Sequence, residues 1–543
     1  MQILLIINKQ VNYKITPLYD RSVSAIKVET EIIGDMNGEI VLALPYSWAS
    51  ALYFDQIKNI KLEYPIGKLQ FEGRNGNKAV LNTGKINIIR LSYEIYQKAG
   101  NSSNVHGAII RQNLIHSPGY GLFTLPEDIN DKDKIEFNIE WNNIPDAWKI
   151  VSDYGLNEGL RFKVKKEELL SALYAAGDLR IYKIIIQKNP VYVSLHGQFD
   201  LTDKEITSSI DKIIKGERAF FSDNDFPYYA ISLIEGDEPN HIGGTGLTHS
   251  FIASIPQNVD KYRYFTLLAH EYLHNWIGRK IDISKDEELN YWWSEGFTDY
   301  YARILALRSN VISFDEFIKE FNQFFEDYYL SPVINEANSK IKTDFWKDNS
   351  IKKLPYYRRF VFALYLNNLI KENNKNKSLD NVMLDLFKTA KTQEFSTDYF
   401  KKIVKNYIPA GIDKEINEYI EQGKTIDLTE IAKVLPIEKV KVPLCNLGFD
   451  IMACFDEGVI KDIDITSNAY KAGLRNGDKL IEVSLPKGFN YPDQIATVKV
   501  TKGEFNFRPE SPNKKEIYRF KPNLSKEEQQ KIKKFFDIYS ARI

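Results

Sequence analysis

The sequence predicts a multidomain α+β fold, and three observations predict it. Its 543 residues exceed what one hydrophobic core usually serves, so roughly three or four domains are expected. Apolar and polar residues alternate at period two through Ile26, Val28, Thr30 and Ile32, and again through Ile135, Phe137, Ile139 and Trp141. Helical periodicity takes over from about residue 261 and persists to about 425. The expected parts are a β-sandwich over 1–150, a mixed segment over 151–330, an α-helical domain over 331–430, a short-stranded domain over 437–522 and a last helix over 523–543.

In the first part, Asn37-Gly38 and Asn75-Gly76 are tight-turn signals between antiparallel strands. In the mixed segment, Val191-Tyr192-Val193 and Tyr229–Leu233 read as strands, and Asp203–Lys215 as a helix behind an N-cap at Thr202. The strongest helical signal spans Lys261–Ile277, with Asp260 as N-cap and Gly278 as the C′ residue. A second helix is expected over Tyr291–Leu307. Further on, Pro355 suits a helix start ahead of the apolar run Phe360–Leu364. Ala432–Pro443, rich in Lys, Val and Pro, reads as a linker, and Ser525 with Glu528 makes a capping box.

The balance of 72 basic and 73 acidic residues gives no basic face for nucleic acid. Two cysteines, Cys445 and Cys454, exclude a disulfide framework. They either pair with each other or remain buried free thiols, and free thiols are expected. No apolar run of ~20 residues exists, so no membrane span is expected. The opening Met1–Ile7 is either the tail of a cut signal or a first strand, which leaves the compartment open between cytoplasm and periplasm or secretion.

The chemistry sits at His270-Glu271-Tyr272-Leu273-His274. Residues four apart on a helix differ by ~40° around the axis, so both imidazoles leave one face, a turn apart. Two such rings reach one Zn2+ at ~2.0–2.1 Å, with Glu271 beside them to hold a zinc-activated water. A catalytic zinc needs a third protein ligand and one open position. Trp292-Trp293-Ser294-Glu295-Gly296-Phe297-Thr298 offers Glu295, a carboxylate in an apolar stretch, where burial without a cation is costly. One Zn2+ per chain is expected on His270, His274 and Glu295, with Glu271 as general base.

The segments HEYLHNWIGRKI (270–281) and WWSEGFTDYY (292–301) resemble the gluzincin aminopeptidases, and most closely the glycyl aminopeptidase family. Twenty residues separate His274 from Glu295, two more than is typical of the membrane-alanyl-aminopeptidase family, which favours the glycyl aminopeptidase family or a divergent branch. The resemblance implies a thermolysin-like catalytic domain over 151–330, flanked by the β-rich, helical and C-terminal parts. It implies a tyrosine that steadies the oxyanion: Tyr357, in Tyr357-Arg358-Arg359-Phe360, with Tyr356 as the alternative. It also implies a substrate strand before the zinc helix, where Gly246, Leu247, Thr248 and His249 match in position. Thr248 stands where the family has the glutamate that grips the substrate's free amino group, and a neutral hydroxyl cannot pair with an ammonium as a carboxylate does. Glu238 is an alternative acid.

Residues 437–522 resemble a PDZ domain of the bacterial protease type, through Leu447-Gly448-Phe449 and Ala469-Tyr470-Lys471-Ala472-Gly473-Leu474-Arg475-Asn476-Gly477-Asp478-Lys479-Leu480-Ile481. The first segment is expected to open a strand and to hold the terminal carboxylate of a peptide ligand. The functional expectation is a zinc metallopeptidase acting on peptide substrates, an aminopeptidase first. An endopeptidase on the same site and a catalytically weak PDZ peptide-binding scaffold are the alternatives.

Overall fold

The computed structural model describes residues 10–20, 23–46, 56–73, 76–97, 104–237, 242–283, 287–345, 347–485 and 492–538. Met1–Ile7, Asn75, Glu238 and residues 539–543 of the expected last segment lie outside the described residues. The chain divides into two compact units, one running to Asn275 and including Ser309–Val311, the other comprising Trp276–Arg308 and the chain from Ile312.

The first unit is built from three sheets. An eight-stranded sheet has the order Gly159–Lys165, Lys134–Trp141, Gln10–Asp20, Val23–Ala43, Lys78–Tyr96, Ile57–Tyr64, with Gln70–Glu72 and Leu125–Pro126 paired off this path. The alternation read in the sequence is its inward face: Ile26, Val28, Thr30, Ile32, Ile135, Phe137, Ile139 and Trp141 are all buried. The sheet is not wholly antiparallel, because Gln10–Asp20 pairs parallel with Lys134–Trp141. Gly38 turns no hairpin. It sits at φ +83° inside the strand Val23–Ala43, beside register shifts between Met36 and Gly38. A glycine that reaches positive φ serves a β-bulge as well as a turn.

A four-stranded sheet (Lys149–Ser152, Leu173–Gly177, Leu114–Pro118, Ile109–Arg111) shares the core of the first through Ile110, Ile115, Ile150, Tyr174 and Ala176. Its opposite face packs Ile109, Leu114, Val151, Leu173 and Ala175 against Ala230, Ile234, Leu247 and Ile252 of a third sheet. That third sheet has the order Arg180–Ile186, Asn189–His196, Tyr229–Glu235, Ser250–Ile255, Gly243–Gly246, its three middle strands parallel and its edges antiparallel. The helix Asp203–Phe221 crosses over between the parallel strands, capped by Thr202, whose hydroxyl accepts from Glu205 N–H at 3.2 Å. It packs beside the helix Lys261–Leu273. That helix stops four residues short of the sequence expectation: Asn275 N–H bonds Tyr272 O in a turn, and Gly278 lies at φ +95° in a two-residue strand.

The second unit opens on the paired two-residue strands Ile277–Gly278 and Ile281–Asp282 and the helix Glu287–Arg308, followed by Phe314–Leu330, Asn338–Asp344, Asn349–Asn373, Leu379–Thr389 and Thr397–Val404. Trp292 and Phe297 join Phe362, Phe395 and Phe400 in its aromatic core, and Trp293 stacks on Phe395. Pro355 does not start a helix; it lies inside Asn349–Asn373, whose start is fixed by Asp348 accepting from Ser350 and Ile351 N–H at 2.7 and 3.2 Å. The segment read as a linker is the short helix Ile431–Val434 and the strand Ile437–Cys445, antiparallel to Glu510–Phe520. A three-stranded sheet (Leu480–Ser484, Ala496–Val500, Gly503–Phe507) has its own small core, and Ser525 and Glu528 cap the helix Lys526–Phe535. Cys445 and Cys454 are free thiols, the second buried and the first half-buried. Among the described residues no helix is long and apolar enough to cross a membrane.

Candidate metal centre

His270, Glu271 and His274 occupy the last turn of the helix Lys261–Leu273 and the residue after it, with His270 and Glu271 buried. The helical offset of four does what the spacing requires. The two rings stand at 83° with their Nε2 atoms 3.0 Å apart, so both Nε2 face one point. Glu295, on the helix Glu287–Arg308, contributes a carboxylate oxygen, and the three ligand atoms lie within 4.8 Å of one another. Two imidazole nitrogens and one carboxylate oxygen converging this way are a donor set suited to zinc that leaves a fourth position open.

The edge strand Gly243–Gly246 lies against Glu271 and His274, and its glycines explain how. A Cβ on Gly244 would stand 2.5 Å from Glu271 Oε1 and 2.6 Å from its Cδ. A Cβ on Gly246 would meet His274 Cβ at 3.3 Å. Close approach, rather than a turn, accounts for Gly244, and at Gly246 a side chain would be a tight fit. Leu247 buries its side chain in the core between sheets. Its N–H donates to Ser250 O at 2.7 Å, and Thr248 N–H to Ser171 O at 2.6 Å. His249 N–H donates to Asp153 Oδ2 at 2.8 Å, and Leu173 N–H to Oδ1 at 3.0 Å. Asp153 is thus the anchor of the segment that follows the edge strand, with its carboxyl pushed up by burial and pulled back by these donors and Ser250. Nothing in the sequence around a lone Asp153 signals that role.

Two further buried charges escaped sequence reasoning. Glu217, on the helix Asp203–Phe221, is buried with both carboxylate oxygens lacking a hydrogen-bond partner. Burial pushes its carboxyl well above the usual range, and His270 is the group that pulls it back. Its neighbour Arg218 turns elsewhere, donating through Nε to the Tyr272 hydroxyl at 2.8 Å and lying over the Phe226 ring. In the second unit, Arg359 is fully buried. Burial lowers its pKa most, then Arg358, while Glu295, Tyr356 and Glu421 oppose the shift. Tyr356 and Glu295 therefore both lie within the electrostatic reach of Arg359, whereas Tyr357 sets its ring edge-on against Phe324 at 5.9 Å.

At the C-terminal segment, Leu447 and Phe449 are buried in the small core, and Gly448 at φ +81° donates its N–H to Asn446 Oδ1 at 2.8 Å. The expected strand does not follow: residues Ile451–Glu457 form a helix. The Asp450 side chain accepts from Ala453 N–H at 3.0 Å, which closes the first turn of that helix.

A curated relative, leucine aminopeptidase 2 of Ajellomyces capsulatus, is 26% identical over 199 residues, and the matched stretch makes up 33% of this chain and 28% of the relative's length. The crystal structure of an aminopeptidase N family protein from Idiomarina loihiensis matches with a TM-score of 0.73 at 17% identity, covering 97% of this chain and all of that one. The chain therefore has the multidomain α+β fold of an aminopeptidase N family protein. Residues 263–353, which contain both histidines, Glu271 and Glu295, match the family model of the M61 glycyl aminopeptidases.

Proposed function

We propose that this protein is a zinc-dependent metallopeptidase of the aminopeptidase kind, with one zinc ion per chain on His270, His274 and Glu295. The observation that carries the proposal is the convergence of these three ligand atoms within 4.8 Å. Bound zinc supplies Lewis acidity, which polarises a carbonyl and makes water nucleophilic at neutral pH. Glu271, next to His270 and pressed against the edge strand, takes the proton of the attacking water and returns it to the leaving amine. The strand Gly243–Gly246 ends the third sheet, so an extended peptide adds to it as a further strand, with its backbone laid over Glu271.

The oxyanion is steadied by a tyrosine hydroxyl on the helix Asn349–Asn373, a class of contact worth about 2.7–4 kcal/mol. Tyr356 is the better supported of the two, since Tyr357 packs on Phe324. In this reading residues 151–330 act as the thermolysin-like catalytic part and 331–430 as its helical companion.

Endopeptidase action is the second reading, and Thr248 favours it, because no carboxylate stands at that position to hold an amino terminus. A PDZ-like role for 437–522, with a C-terminal peptide as ligand, draws support from the Ala472–Ile481 pattern. It draws less from the Gly448 loop, whose amide is engaged within the chain. The test is hydrolysis of matched peptides with free and acetylated N-termini, with and without a chelator. Chelator-sensitive cleavage of free N-termini alone establishes the aminopeptidase, and equal cleavage of acetylated peptides establishes the endopeptidase. In Glu271→Gln, zinc content is expected to stay and turnover to fall nearly to nothing; near-normal hydrolysis refutes the general-base role.

A further inference from the structure

We propose that Arg359 anchors a buried binding site for a small monovalent anion, of the chloride kind, inside the second unit. The inference goes beyond the peptidase reading and does not depend on it. Arg359 is 1% exposed, and its Nη1 has no hydrogen-bond partner. Its Nη2 donates to Asn338 Oδ1 at 3.1 Å, and Asn338 Nδ2 donates in turn to Leu289 O at 3.0 Å. The stem is wedged against the helix Glu287–Arg308, where a Cβ on Gly296 would fall 2.2 Å from Arg359 Cβ. The guanidinium is thus held at both ends of its side chain, with Nη1 shut off from solvent and unsatisfied. Leaving a buried donor in that state is among the more costly arrangements a fold can keep.

Charge sharpens the case. A guanidinium stays protonated in proteins, and burying it without a counter-charge is costly. Arg358, also 1% exposed, reaches only backbone oxygens, Ile334 O at 2.7 Å and Glu336 O at 2.5 Å. The two arginines therefore bond two carbonyls and one amide, and no carboxylate. The same unit treats other arginines differently. Buried Arg303 meets Asp299 Oδ1 at 2.7 Å and Glu320 Oε2 at 2.8 Å, and half-buried Arg308 meets Asp380 Oδ2 at 2.8 Å. Burial lowers the pKa of Arg358 and Arg359; at Arg303 and Arg308 burial acts the same way, but the facing carboxylates outweigh it. A water molecule would answer the spare N–H and leave the charge. An anion answers both. A peptide's terminal carboxylate does not reach a group so closed to solvent, which points to an inorganic ion.

The test follows the Tm of the full chain as chloride replaces gluconate at constant ionic strength. It is run both zinc-loaded and after chelation, so that its outcome stands apart from that of the zinc reading. A ligand that binds only the folded chain raises Tm with its concentration, so wild type is expected to gain a few degrees in chloride, and bromide should act alike. Arg359→Gln is expected to lose that gain, because a neutral amide has no charge to be answered. A merely structural Arg359 would give a variant with a lower Tm that still gains in chloride as wild type does, and would overturn the site. Equal Tm of wild type in gluconate and chloride also overturns it. Should Arg359→Gln fail to fold, anomalous diffraction from bromide-soaked wild-type crystals decides. A bromide peak beside Arg359 Nη1 supports the site, and peaks at exposed lysines alone, an adventitious ion only, overturn it.

Discussion

Gly244 shows how much a single hydrogen atom in place of a methyl group can matter here. A Cβ at this position would fall 2.5–2.6 Å from the Oε1, Cδ and Cγ atoms of Glu271, so either the strand or the carboxylate must move. Displacing a general base by about 1 Å costs on the order of 10²-fold in rate. Gly244→Ala is therefore expected to keep its zinc and lose at least about tenfold in kcat; metal analysis beside steady-state kinetics checks both. His116 offers a test of another kind. It is fully buried, neither ring nitrogen has a hydrogen-bond partner, and burial first, then His196 and Arg111, depress its pKa to about 3. Its unfolded value is near 6.5, so the unfolded chain takes up the proton first. The stability it contributes is complete above pH 6.5 and is lost as pH falls from there towards 3, at about 1.4 kcal/mol per unit. Between pH 6.5 and 4.5, wild type is expected to lose about 2–3 kcal/mol more than His116→Leu, measured by denaturant unfolding of metal-free protein. The two histidines proposed as ligands were legible in the sequence because an offset of four encodes one helix face, and Glu295 because a carboxylate stands in an apolar stretch. Asp153 and Gly244 were not, because their roles rest on neighbours distant in sequence. Tyr356 and Tyr357 are adjacent on one helix and point ~100° apart, so only their packing partners separate them.

Elements meet where glycine allows it. Gly296 sits mid-helix, where it costs about 1 kcal/mol relative to alanine. What it allows is close approach to the helix Asn349–Asn373: a Cβ there would lie 2.2 Å from Arg359 Cβ and 3.3 Å from its backbone. Both partners are helix backbone or buried stem, so neither can yield. Gly296→Ala is expected to force the two helices apart by about an ångström, shift the adjacent Glu295, and lower Tm by a few degrees. Zinc affinity should fall with it; unchanged affinity would mean that Glu295 does not depend on this contact. The same scale explains the misread elements. Ile437–Cys445 alternates Lys439, Val440, Lys441 and Val442 at strand period, yet its composition resembles a linker, and its partner Glu510–Phe520 lies some seventy residues on. Pro355 carries the signal of a helix start, but the Asp348 cap upstream sets the start instead. Leu173–Gly177 shows no alternation because the four-stranded sheet is covered on both faces, which erases period two.

At the scale of the whole molecule, the metal is expected to act as a stabilising ligand, and that separates the ligands from the base. Zinc that binds the folded chain and not the unfolded one adds RT ln(1 + [Zn]/Kd), about 2.7 kcal/mol at a hundredfold excess over Kd. In a chain of 543 residues this amounts to a shift of a few degrees in apparent Tm, read at one fixed scan rate because large chains rarely unfold reversibly. Chelation should lower the wild-type Tm by that amount. Glu271 sits in the same turn as the two histidines, but it contributes no ligand atom to the group of three, so Glu271→Gln should show the full chelator shift while being inactive. Glu295→Gln replaces an anionic oxygen with a neutral amide and should lose most of the shift, as should His270→Ala. The reverse pattern, with Glu271→Gln insensitive to chelator and Glu295→Gln shifting like wild type, would exchange the roles of the two glutamates. A multidomain fold was legible from length and periodicity, and the motif positions and the grouping of ligand atoms assign the two carboxylates different parts; this linked measurement tests that assignment, because both residues carry the same side chain.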